Sequence, residues 1–196
     1  MNKTKIEIRS LAEVPSVESD SRVIRGYAIV WDVESRILWD GEEFVEVIAK
    51  GAVTEELLKR SDVKALYNHK HDYLLARSVN GVGSLALTID DHGLAFAFEA
   101  PDTACGNDVL VLVKRGDLQG CSFAFTVDGR SVTYSRREDG MPLRRIERIA
   151  ELYDVSVVVD PAYTQTSVSA RCWAPQPTGT TSAERTEFLK TLSTFK

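Results

Sequence analysis

Short runs of alternating apolar and polar positions dominate this chain, the period-two pattern of half-buried β-strands. Ile6-Glu7-Ile8-Arg9 opens the pattern, and 25–31, 44–48 and 63–67 each read as a strand, the last delivering His69 at its end. Residues 84–89 and 94–99 alternate on either side of Asp90-Asp91-His92-Gly93, which predicts a β-hairpin whose turn glycine takes a positive φ. Two further hairpin-like strands are expected around 123–135 and 143–149, and a final apolar strand over 152–159 stops at Asp160-Pro161.

Helical signals are fewer. Residues 52–60 carry Glu55 and Glu56 early and Lys59 and Arg60 late, the order that complements a helix dipole. Residues 107–116 read as a second helix, capped by Asn107 and closed by Gly116. The stretch 174–182 is a linker by its Pro, Gly, Thr and Ser content, and 183–195 would suit one short amphipathic helix. The pattern gives an α+β fold: a mainly antiparallel, barrel-like β core flanked by a few helices. The expected organisation is an N-terminal lead over 1–20, a globular domain over 21–171, and a linker with a C-terminal tail over 172–196.

Composition narrows the function. A chain of 196 residues, 43% hydrophobic, can bury the core of one domain with tails. A net charge of −5 argues against nucleic acid as a partner, because such proteins usually present a basic face to the phosphates. Cys105, Cys121 and Cys172 are odd in number and lack C-x-x-C spacing, which suggests neither a disulfide framework nor a zinc site and fits a reducing cytoplasm. No apolar run approaches the roughly 18 residues that span a bilayer, and the N-terminus lacks the apolar core of a signal peptide, so no membrane partner is expected.

The candidate chemistry lies in segments far apart in the chain. Ser122 follows Gly120-Cys121 at the start of an alternating strand, where Ser122, Ala124 and Thr126 share one face and Phe123 and Phe125 the other. The Phe face would anchor the strand while the face of small groups stays open to a substrate. Ser122 also reads simply as a polar residue after a turn, and Cys121 is a rival nucleophile that alternation points towards the Phe face. A serine hydroxyl needs a base to take its proton, and only His69, His71 and His92 carry imidazoles. His92 sits in the hairpin turn and receives no role. His69 and His71, with Asp72, offer a metal-site alternative, but three clustered ligands without a further His make an incomplete set. Asp154 stands inside an apolar strand, on one face with Leu152 and Ser156. A carboxylate there needs a partner: an imidazole N–H, or one of Arg144, Arg145 and Arg148. Glu151 is a competitor at the strand's edge.

At these residues the chain resembles the prohead maturation proteases of tailed bacteriophages, serine peptidases related in fold to herpesvirus assemblins. The resemblance rests on an ordered set spanning about residues 22–171: Arg25-Gly26-Tyr27-Ala28, Lys50-Gly51-Ala52, Asn68-His69, Asp91-His92-Gly93-Leu94, Arg115-Gly116-Asp117-Leu118, Cys121-Ser122-Phe123-Ala124-Phe125 and Leu152-Tyr153-Asp154-Val155-Ser156, then Pro161-Ala162-Tyr163. It implies an assemblin-like fold, with Ser122 as nucleophile, His69 as general base and Asp154 as third member, and no cofactor or metal. The family more often has Glu where Asp154 stands, and its Leu-Gly-Arg appears here as Leu75-Ala76-Arg77. By the same resemblance the partners are the major capsid protein with its scaffolding segment and the protease itself, through self-cleavage and a homo-oligomeric state. The location implied is the immature capsid inside the bacterial cytoplasm. A catalytically silent capsid-assembly or scaffold-binding protein of the same fold is the alternative from another class.

Overall fold

The computed structural model describes residues 5–11, 15–17 and 21–159. The expected linker and terminal helix, together with Cys172 and the Pro161-Ala162-Tyr163 motif, lie outside the described residues. In chain order the strands are β1 (Glu7–Leu11), β2 (Ser16–Val17), β3 (Val23–Val30), β4 (Leu38–Trp39), β5 (Glu43–Ile48), β6 (Asp62–Tyr67), β7 (Lys70–Val79), β8 (Val82–Gly83), β9 (Leu85–Ile89), β10 (Gly93–Glu99), β11 (Gly120–Val127), β12 (Val132–Arg136), β13 (Pro142–Ile146) and β14 (Ile149–Val158). Among the described residues two α-helices interrupt them, α1 (Glu55–Leu58) and α2 (Ala104–Arg115). Among the described residues no helix is long and apolar enough to cross a membrane.

The strands form three open sheets and not a closed barrel. The largest has the order β1-β11-β14-β6-β7-β8; the others are β2-β3-β10-β9 and β12-β13-β5-β4. Closure would require the edge strands β1 and β8 to find further neighbours, but among the described residues they pair with β11 and β7 alone. Pairing is mainly antiparallel, as expected, with β6–β14 and β5–β13 as the parallel exceptions. These two parallel pairs join segments some ninety residues apart, which alternation along a single strand does not reveal.

One apolar core lies between the first two sheets. Phe123 and Phe125 of β11 stack with centroids 5.0 Å apart and are fully buried, together with Ile24, Leu94, Leu152 and Val155. Each Phe side chain removed from water contributes roughly 1.5–3 kcal/mol. Gly26 of β3 permits the close approach: a Cβ there would meet Cys121 Sγ at 3.1 Å and the Phe96 ring at 3.2 Å.

The local signals place most elements. α2 ends at Gly116 in the left-handed region, φ 75°, but its cap is Thr103, whose hydroxyl accepts from Gly106 N at 3.1 Å. Asn107 instead lies inside the helix and accepts from Arg22. α1 is a single turn capped by Thr54. The β9–β10 hairpin forms where it is expected, yet its glycine works differently. Gly93 is absent from the positive-φ residues; it is a strand residue whose Cβ would lie 1.9 Å from the Ile29 carbonyl oxygen. Asp90 makes the turn, its Oδ1 accepting from the N–H groups of His92 and Gly93 at 2.8 Å each.

Candidate active site

His69 reaches the site through a two-residue turn. Tyr67 pairs with Lys70, and the intervening Asn68 and His69 both have positive φ, 51° and 56°, as a type I′ hairpin turn requires. Left-handed backbone costs a non-glycine residue about 1–2 kcal/mol, and neighbouring bonds offset it: Asn68 N donates to Val157 O at 3.0 Å and Asn68 Oδ1 accepts from Val159 N at 3.2 Å. The turn is thereby tied to the end of β14, and the imidazole is held over that strand. Because the chain turns at 68–69, His71 does not share a face with His69; His71 and Asp72 are exposed on β7. No cluster of three or more His, Cys, Asp or Glu able to hold a metal occurs among the described residues.

β14 brings Asp154 and Ser156 under the imidazole. In register, Ser122 stands opposite Ser156 and Ala124 opposite Asp154, so all four share one face of the sheet. Leu152 does not join them. The β11–β14 register shifts between Ala124 and Phe125, which leaves Tyr153 as an extra residue and turns Leu152 into the core opposite Phe125. This bulge separates Asp154 from Glu151, which is exposed and bonded to the hydroxyl of Tyr153. Nor do the arginines reach Asp154: Arg144 pairs with Glu7 and Glu46, and Arg145 with Asp32 and Glu147.

Ser122, His69 and Asp154, separated by 53 and 85 residues in pairs, meet in one chain of hydrogen bonds. Asp154 Oδ1 lies 2.7 Å from His69 Nδ1, and His69 Nε2 lies 2.5 Å from Ser122 Oγ. An ionised carboxylate only accepts, so Nδ1 carries a proton and the neutral ring presents the lone pair of Nε2 to the serine hydroxyl. Proton transfer from Oγ to Nε2 then makes an imidazolium beside a carboxylate, a stabilising arrangement.

Two participants escape sequence reading. The Ser156 hydroxyl donates to Asp154 Oδ1 at 2.7 Å and lies 3.3 Å from His69 Nδ1. Its i+2 spacing from Asp154 placed it on the correct face, and that was the available signal. The Arg9 carbonyl accepts from Ser122 Oγ at 2.8 Å, a contact 113 residues distant with no sequence signature. The expected open face of β11 is likewise absent: Ser122, Ala124 and Thr126 are buried. Cys121 is fully buried against Gly26 and Phe96, a packing position.

A network of four charges lies on the other face of β1. Arg9 bridges Glu46 at 2.7 and 3.0 Å and Glu7 at 2.8 Å, while Arg144 bridges Glu7 and Glu46. Burial pushes the Glu7 carboxyl up, but the Arg144 and Arg9 guanidiniums outweigh it and hold the carboxyl below its ordinary value. A groove of about 580 Å³ runs beside β1, walled by Ile6, Ile8, Trp39, Phe44 and Tyr134 among others, with none of Ser122, His69 and Asp154 in its wall.

Among known proteins, the sequence profile described as caudovirus prohead serine protease matches residues 10–179. The search of curated proteins found no match. Among solved structures, the bacteriophage T4 capsid assembly protease is similar at 12% identity with a TM-score of 0.47, over 82% of this chain and 100% of that one.

Proposed function

Since the chain belongs to the caudovirus prohead serine protease family, we propose that it is a serine endopeptidase in which Ser122 attacks, His69 is the general base and Asp154 orients and stabilises the imidazole. The observation that supports this reading is the continuous hydrogen-bonded chain from Asp154 Oδ1 through both ring nitrogens of His69 to Ser122 Oγ. As Oγ bonds to a peptide carbonyl carbon, its proton passes to Nε2. The same proton then goes to the leaving amine as the C–N bond breaks, and water clears the acyl-enzyme with His69 again as base. By family, the substrates would be the major capsid protein, its scaffolding segment and the protease itself, within the immature capsid of an infected cell. The peptidase unit is taken as residues 21–171, with the 1–20 lead contributing β1 and 172–196 forming a linker and tail. An assemblin-like fold belongs to the same proposal.

The burial of Ser122 favours a second reading, a catalytically silent assembly protein. A fluorophosphonate probe followed by intact mass separates the two. Wild type should gain one adduct that Ser122→Ala and His69→Ala do not. Labelling that persists in Ser122→Ala, or a Ser122→Ala variant that still cleaves capsid protein, would sink the peptidase assignment.

A further inference from the structure

We infer, on the reading of Ser122 as nucleophile, that β1 is an inhibitory strand: it fills the edge of β11 to which an extended substrate polypeptide would pair. Among the described residues β1 is the terminal strand of its sheet and pairs on one side, antiparallel to β11, with Ser10 opposite Ser122 and Arg9 opposite Phe123. An edge of this kind presents a row of backbone donors and acceptors that any extended chain of suitable side chains can use. While β1 holds it, a substrate strand cannot. Ser122 is accordingly 0% exposed, although the His69 side chain beside it keeps 18% of its surface.

β1 also acts on the proton. The Ser122 hydroxyl has one proton, and both His69 Nε2 at 2.5 Å and the Arg9 carbonyl at 2.8 Å are placed to accept it. A proton lying on the Arg9 carbonyl is not delivered to the base, and Oγ gains none of the nucleophilicity that the base confers. Withdrawal of β1 removes this competing acceptor and frees the β11 edge. No bond in the chain has to break for this change.

The strand is fastened by side chains on its opposite face. Arg9 clasps the fully buried Glu46 with two hydrogen bonds, and Glu7 is held by Arg144, so both anchors bind β1 to β5 and β13 of another sheet. Loss of Arg9 leaves Glu46 still paired with Arg144, so the variant weakens the fastening without stranding the buried carboxylate.

The test is the rate of fluorophosphonate labelling of the full chain. Folded Arg9→Ala should label roughly tenfold or more faster than wild type, the scale expected for a lost buried ion pair. A merely structural Arg9 would slow labelling or leave it unchanged. As a second variant, Leu11→Cys places a thiol opposite native Cys121 in the β1–β11 register. The oxidised form, with the disulfide verified by peptide mapping, should label more slowly than wild type, and reductant should restore the rate. Equal rates for wild type and folded Arg9→Ala, or for oxidised and reduced Leu11→Cys, would overturn the inhibitory role. If Arg9→Ala does not fold, the oxidised and reduced rates decide alone. Absence of labelling in every form, or its persistence in Ser122→Ala, would instead overturn Ser122 as the nucleophile, and the inhibitory role with it.

Discussion

Asp154 Oδ1 accepts two hydrogen bonds, one from His69 Nδ1 and one from the Ser156 hydroxyl, each at 2.7 Å. A carboxylate buried in an apolar strand is costly unless its lone pairs are used, and Ser156 uses one without competing for the imidazole proton. Ser156 is thus a positioning residue, fixing the oxygen that fixes the ring. Ser156→Ala should lower kcat by about tenfold, the kinetic equivalent of one hydrogen bond to a charged group, with KM unchanged. Ser156→Thr, which keeps the hydroxyl, should recover most of the rate. An alanine variant as fast as wild type would show that Asp154 needs no such support. At this scale the sequence was informative for residues whose chemistry is unusual in place: a serine after Gly-Cys, a histidine at a strand end, a carboxylate among valines. Ser156 was less visible because a serine on a strand has many ordinary uses.

Elements were legible where their signal is local. Strand alternation located β3, β5, β6, β9, β10 and β14 to within a few residues, and Gly116 marked the end of α2. β7 was missed because Lys70 through Leu74 are exposed, so no apolar alternation marks its first half. The bulge at Tyr153 reversed the face of Leu152, and a bulge depends on the partner strand as much as on the strand that carries it. β1 shows the same dependence on partners. Its Glu7 carboxyl is held below its ordinary value of 4.5 chiefly by Arg144, with burial opposing. A carboxyl with a lowered folded value contributes stability that is present above the unfolded value and lost as pH falls through the folded one. The stability difference between wild type and Glu7→Gln should therefore be full at neutral pH and shrink as pH falls below that ordinary value. Urea unfolding of both proteins from pH 3 to 7 measures it, and a difference that grew on acidification would contradict the ion-pair origin.

For the whole molecule, the motifs set the order of the chain through the fold, but not which sheet each strand enters. That choice rests on pairings such as β6–β14 and on contacts between sheets that leave no trace in either local sequence. The network of Glu7, Arg9, Glu46 and Arg144 is the clearest case, since it joins β1 of the first sheet to β5 and β13 of the third. Glu46 is fully buried, so its charge is tolerable only while guanidinium groups face it. Arg144→Ala removes one of the two guanidiniums that meet both carboxylates, leaves Glu46 paired with Arg9 alone, and should destabilise the protein by about 1.5–3 kcal/mol, the scale of a hydrogen bond to a charged group. If that loss comes from an under-compensated carboxylate, and not from the missing arginine stem, adding Glu46→Gln to Arg144→Ala should recover part of it. Glu46→Gln alone should destabilise, because the wild-type network then lacks a carboxylate that both arginines use. The double-mutant cycle isolates the coupling, which should exceed the roughly 0.5 kcal/mol error of additivity between independent sites. A cycle that closed within that error would mean that Glu46 and Arg144 contribute to stability independently and not as a pair.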